Sequence, residues 1–165
     1  MKKRDVLLVI LIVLFTTLLI DYFNFRLMKI DNKYYDEFKD RLYKVTQEKT
    51  SFNMKDVTPF QWDKMYIISP YTSKSEIQEI VGIKWTTSNT YLGYLLYQKT
   101  ILGKYPLDDD IFHKLVFIKG EEVLLDITLN RMEIDFTKVK DVVFYNKAEF
   151  VIKKEGDRCI ILKNR

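Results

Sequence analysis

The chain has 165 residues, 47% of them hydrophobic and 30% charged, enough for one domain with a packed core. Its net charge of +4 comes from 27 basic and 23 acidic residues scattered through mixed-sign sequence, whereas a nucleic-acid partner calls for a clustered basic stripe. A single cysteine, Cys159, excludes an intrachain disulfide and a cysteine-based metal site, and five glycines leave little from which to build a phosphate-cradling loop.

The opening segment MKKRDVLLVILIVLFTTLLIDYFNF places Lys2, Lys3 and Arg4 before an apolar run. That run consists of Val6, Leu7, Leu8, Val9, Ile10, Leu11, Ile12, Val13, Leu14, Phe15, Leu18, Leu19 and Ile20, with Thr16 and Thr17 as its polar members. As a helix it rises roughly 22 Å, and extension through Tyr22, Phe23 and Phe25 brings it to about twenty residues, the length that spans a bilayer. A cleaved signal peptide needs small residues at its cleavage site, but Asp-Tyr-Phe-Asn-Phe-Arg follows Ile20. A lipoprotein needs a cysteine just beyond the run, and a core helix needs a polar face. The run is therefore predicted to be an uncleaved signal anchor, with the lipid bilayer as its partner. Residues 1–25 form a cytoplasmic basic tip and a single-pass transmembrane helix, and residues 26–165 an extracytoplasmic domain. Arg26 and Lys29 lie on the far side and oppose that orientation.

Next, Tyr35, Phe38, Leu42 and Val45 recur at three- and four-residue steps, predicting an amphipathic helix from about Asn32 to Gln47, capped by Asp31 or Asn32. Thr50 to Phe60 is polar, ends in Thr-Pro before its last residue, and reads as a loop. Lys64 to Ser69 reads as a strand, apolar on both faces and hence central. Pro70 ends it. Ser73-Lys74-Ser75-Glu76 is a capping box, Ile77, Ile80 and Val81 give the helix after it an apolar face, and Gly82 stands at its C-cap. Ile83 to Trp85 is a candidate strand. Tyr91 to Leu102 fits a strand pair or a short helix, and Lys104 to Asp110 a loop.

The last third alternates. Lys114 to Ile118, Lys119-Gly120 and Glu122 to Leu129 form a hairpin pattern, with Val123, Leu125, Ile127 and Leu129 opposite Glu122, Asp126 and Thr128. Met132, Ile134 and Phe136 continue it opposite Arg131, Glu133 and Asp135. Glu149 to Lys154 and Arg158 to Lys163 make a final hairpin, with Cys159 on the face of Ile161. The fold class is thus α+β: one N-terminal transmembrane helix, then a small mostly antiparallel sheet with one or two helices packed on one face.

Catalytic patterns are sparse. His113 is the single histidine and begins a strand, where a surface or edge position is expected. Asp108, Asp109 and Asp110 are consecutive, so their side chains diverge, and neither a glycine nor a distal glutamate completes a calcium loop. No metal or cofactor is expected. The candidate binding residues are Trp62, Asp63, Tyr66 and Tyr71, set where a strand stops at Pro70 and a capped helix starts. Two arrangements are open for them: a small polar pocket, or architecture in which Trp62 and Tyr66 fill the core and Asp63 accepts from backbone amides.

The segment WDKMYIISPYTSKSEI, Trp62 to Ile77, with Leu115 to Val123 after it, resembles sequences in small uncharacterised membrane-anchored proteins and lipoproteins of Gram-positive bacteria. The resemblance implies a bacterial, extracytoplasmic, single-domain protein and names no activity. This chain departs from the lipoproteins in lacking their lipid-bearing cysteine. The favoured role is a non-enzymatic binding or interaction protein with a protein or envelope partner. Two alternatives stand beside it: an immunity or accessory factor at the cell envelope, and an enzyme with a carboxylate–tyrosine site around Asp63.

Overall fold

The computed structural model describes residues 3–98, 106–139 and 142–164. The chain divides into two compact units: Met1–Lys29 with Trp85–Gly103, and Ile30–Lys84 with Lys104–Arg165.

The first unit is helical. Its long helix α1 covers Lys3–Met28, and Val6 to Ile20 are solvent-facing at every apolar position. Near its end only Phe25 is buried. A short helix, Tyr91–Gln98 (α5 in chain order), belongs to the same unit. Thr90 starts it, accepting from the Gly93 amide at 3.1 Å through its hydroxyl and from the Tyr94 amide at 3.0 Å through its carbonyl. This settles the strand-or-helix alternative in favour of a helix over 91–98; residues 99–105 lie outside the described residues. Ile83 to Trp85 is not a strand. Thr86 instead makes one parallel bridge with Lys29.

The second unit is α+β. Helix α2 (Tyr35–Glu48) buries Phe38 and Leu42 on its predicted stripe. Neither Asp31 nor Asn32 caps it. Asn32 adopts φ +51°, and its side chain turns away to make reciprocal hydrogen bonds with Asp126, donating to the carbonyl at 2.8 Å and accepting from the amide at 2.9 Å. The predicted loop from Thr50 contains two small elements, β1 (Ser51–Asn53) and α3 (Met54–Val57); the Asn53 side chain caps α3 by accepting from Lys55.

β2 (Lys64–Ile68), β3 (Phe112–Lys119), β4 (Glu122–Asn130) and β6 (Val142–Phe144) form an antiparallel sheet in the order β4-β3-β2-β6. β2 is central, as its two apolar faces require. Gly120, at φ +56°, turns β3 into β4, and a bulge between Phe117 and Ile118 leaves Leu124 out of the ladder. A second sheet, in the order β1-β7-β8-β5, joins β1 to the final hairpin β7 (Glu149–Glu155) and β8 (Arg158–Lys163), with the two-residue β5 (Ile134–Asp135) running parallel to β8. The strands therefore make two four-stranded sheets rather than one. They share a core that includes Phe38, Trp62, Met65, Phe117, Leu125, Phe136, Phe150 and Ile161.

Between β2 and β3, helix α4 (Lys74–Val81) carries the full capping box. Ser73 accepts from the Glu76 amide at 3.3 Å, Glu76 accepts from the Ser73 amide at 2.7 Å, and Gly82 closes the helix at φ +76°.

Candidate functional site

Trp62 reaches the core because it precedes a strand that is buried on both faces. It is 2% exposed, its indole N–H donates to the Thr58 hydroxyl at 3.0 Å, and its ring meets Phe117 and Tyr145 edge-on. Tyr66 is also buried, opposite Val116 on one side and Val142 on the other. Asp63 engages both its backbone and its carboxylate within the fold. Its amide donates to Ile118 at 2.8 Å, its carbonyl accepts from Tyr145 at 3.0 Å, and its carboxylate accepts from the Gly120 amide at 2.7 Å. Asp63 thereby pins the β3–β4 turn to the start of β2.

Tyr71 lies beyond the other end of that strand, and β2 alone spans roughly 17 Å. The four candidate residues do not converge. A carboxylate–tyrosine pair of Asp63 with Tyr71 has no geometry here, and the first three candidates are part of the scaffold.

Tyr71 is different in kind. It sits at φ +61° and is 69% exposed, with its amide donating to the Leu107 carbonyl at 2.7 Å. A bulky side chain in the left-handed region costs roughly 1–2 kcal/mol, and an exposed ring recovers little of that by burial. The ring borders an open hollow of about 280 Å³ formed with Pro70, Thr72, Glu76, Glu79 and Ile80. One aromatic, one half-exposed isoleucine and two carboxylates suit a segment that is apolar and basic. Glu76 is held ionised below the usual carboxylate range by its hydrogen bonds with Ser73.

If the ring is not there for folding, Tyr71→Gly is expected to stabilise the protein by about 0.5–1 kcal/mol, the relieved strain minus the backbone entropy that glycine adds. Tyr71→Ala, which keeps the strained backbone, is expected to give no such gain. Urea midpoints of the two variants check this.

Two further polar clusters were not legible in the sequence. Asp126, predicted to face outward, is 8% exposed and paired with Lys114. Lys74, on the first turn of α4, has its amino group pulled down to about 8 by burial and by Lys114, with Asp126 opposing. Asp135, also predicted to face outward, is fully buried. It binds Arg158, Arg131 at 3.5 Å, and the amide and hydroxyl of Thr137 at 2.8 and 2.6 Å. Met132, predicted inward, is 60% exposed, because a turn after Asn130 interrupts the alternation. His113 is buried rather than at the surface; its Nε2 accepts from the Phe136 amide at 3.3 Å. Burial lowers the imidazole to about 4. Asp135 and the nearby Leu129 carbonyl oppose that shift, and Arg131 adds to it. Nδ1 makes no hydrogen bond of ordinary geometry.

Among the described residues, no group of three or more His, Cys, Asp or Glu side chains is placed to hold a metal ion. Comparison of the chain with models of protein families, with curated proteins and with solved structures finds no match.

Proposed function

We propose that the chain is a single-pass membrane protein that holds its α+β unit outside the cytoplasm at a bacterial cell envelope, where the Tyr71 hollow binds a partner protein. The observation that carries the reading is α1. Its 26 residues rise about 39 Å, enough for the ~30 Å hydrocarbon core and part of an interface. Its most apolar 18-residue window is 0% buried, so its apolar side chains face outward all round. Thr16 and Thr17 satisfy their hydroxyls on the carbonyls of Ile12 and Val13, at 2.6 and 3.0 Å, as a lipid environment demands. Lys2, Lys3 and Arg4 before the apolar run favour a cytoplasmic amino terminus. The strained, exposed Tyr71 supports the binding role.

The full chain is expected to stay in the membrane pellet after carbonate extraction, and added protease is expected to remove the α+β unit from wall-stripped cells. Benzoylphenylalanine at position 71 is expected to give a crosslinked product that Glu79→Lys abolishes, while the same group at Val151 on β7 gives none. A soluble protein, or one shortened near residue 25, refutes the anchor. A protected domain refutes the orientation. Equal crosslinking from 71 and 151 refutes the hollow as the binding surface.

A further inference from the structure

Among the described short helices, α5 is the least polar. Its sequence, Tyr-Leu-Gly-Tyr-Leu-Leu-Tyr-Gln, contains no charged residue. A segment of this kind normally buries itself in the core of a domain, yet Leu92 is 65% exposed. Its place against α1 is fixed by several independent ties. The Tyr91 hydroxyl donates to the Asp21 carboxylate at 2.9 Å. The Tyr91 ring stands edge-on to Tyr22 at 5.4 Å, and the Tyr94 ring lies 5.3 Å from Phe25. The Thr86 amide donates to the Met28 carbonyl at 2.8 Å, and the Lys29 ammonium donates to the Asn89 carbonyl at 3.4 Å.

Those ties set the depth of α5. If the hydrocarbon core begins near Val6, twenty residues of helix bring its far boundary to about Phe25. Asp21 to Phe25, where α5 is attached, therefore stands at that boundary. Phe23 within that stretch is 62% exposed and Leu27 just beyond it is 85% exposed, so the apolar surface extends past the attachment point. Tyrosines favour this depth because the ring is apolar and the hydroxyl is not. Asp21, the one acidic group within the stretch, has its carboxylate engaged by Tyr91 rather than left bare in a poorly hydrated zone.

We infer that α5 is a second membrane-contacting element, lying in the lipid interface beside the end of α1 with Leu92 among the acyl chains and Tyr91 and Tyr94 at headgroup level. The inference rests on α1 being the membrane anchor. Its occupant is phospholipid, favoured over a protein partner because α5 is clamped to a helix whose own apolar surface already requires a bilayer at that depth.

The test uses the full chain in phosphatidylcholine–phosphatidylglycerol vesicles, with nitroxide placed in turn on Leu92→Cys, Ile12→Cys and Glu79→Cys. The native thiol of Cys159 is buried, and the parent chain serves as the labelling control. Collision with oxygen is expected to exceed collision with a water-soluble nickel chelate severalfold at 92 and 12, and the reverse is expected at 79. Leu96→Cys on the same helix provides a second reading should the first variant fold poorly. A label at 92 that behaves like the one at 79, while 12 reads as bilayer, overturns the inference and leaves the anchor standing. A label at 92 shielded from both reagents means that protein covers α5, which also overturns it. A label at 12 that reads as aqueous removes the anchor, and α5 falls with it.

Discussion

Asp135→Ala is expected to lower the thermal midpoint by on the order of ten degrees, corresponding to a loss of roughly 3 kcal/mol. The carboxylate has no exposed surface, and the side chains of Arg131 and Arg158 are only 25% and 28% exposed. Removing the carboxylate leaves two guanidinium groups facing each other across a largely dry site, and it takes the acceptor from the Thr137 amide and hydroxyl. Their partial exposure lets water reach the arginines, which places the loss at the lower end of the range for a broken buried pair. Asp135→Asn keeps an acceptor for Thr137 and is expected to recover part of the loss. Differential scanning calorimetry of the two variants separates the contributions. A shift of two degrees or less for Asp135→Ala would mean that the cluster is solvated and does not hold β5 to β8.

Stability is expected to fall by about 3 kcal/mol as pH drops from 6.5 to 4, through His113. The imidazole is lowered to about 4 in the folded chain. Between that value and the ordinary 6.5, the unfolded chain binds a proton that the folded chain refuses, so stability is complete above 6.5 and lost on acidification. Asp135 acts in the next window. Burial alone would raise its carboxyl, but Thr137, Arg158 and Arg131 together hold it at about 2. Its contribution, roughly 2 kcal/mol, is present above the ordinary carboxylate value and lost between about 4 and 2. His113→Gln retains an acceptor for the Phe136 amide and is expected to flatten the urea midpoint between pH 7 and 4.5. A parent protein whose midpoint is already flat over that interval would show that the histidine is hydrated in solution.

What the sequence made legible is what neighbouring residues decide among themselves. The Ser73–Glu76 capping box, the Gly82 C-cap, the Gly120 turn and the last hairpin each follow from a few consecutive residues, and the structure has them all. The central place of β2 followed from its lack of a polar face. What escaped depends on partners far along the chain. β1 is three residues long and exists because it pairs with β7, about a hundred positions away. Asp135 looks like a solvent-facing residue until Arg131 and Arg158 are brought to it, and His113 looks like an edge residue until β5 delivers the Phe136 amide. At the candidate site, Pro70 marked the place. Trp62, Asp63 and Tyr66 have their partners within the fold, and the residues beside Tyr71 include Glu76, Glu79 and Ile80 of α4. Helix α5 left one local trace, Thr90 before an apolar run; its tie to Asp21 spans seventy positions and left none.

Asn32 also bears on how the molecule avoids its own kind. β4 forms the outer rim of its sheet, and a rim strand offers unpaired amides and carbonyls to any extended chain that drifts alongside. The Asn32 carboxamide occupies both backbone groups of Asp126, midway along that strand, as a single residue of an adjoining strand would. Wherever copies meet at high local density, strand addition between them is a hazard. One side chain at the beginning of the domain thus interrupts the rim at its centre and shortens the stretch on which a neighbouring copy can template.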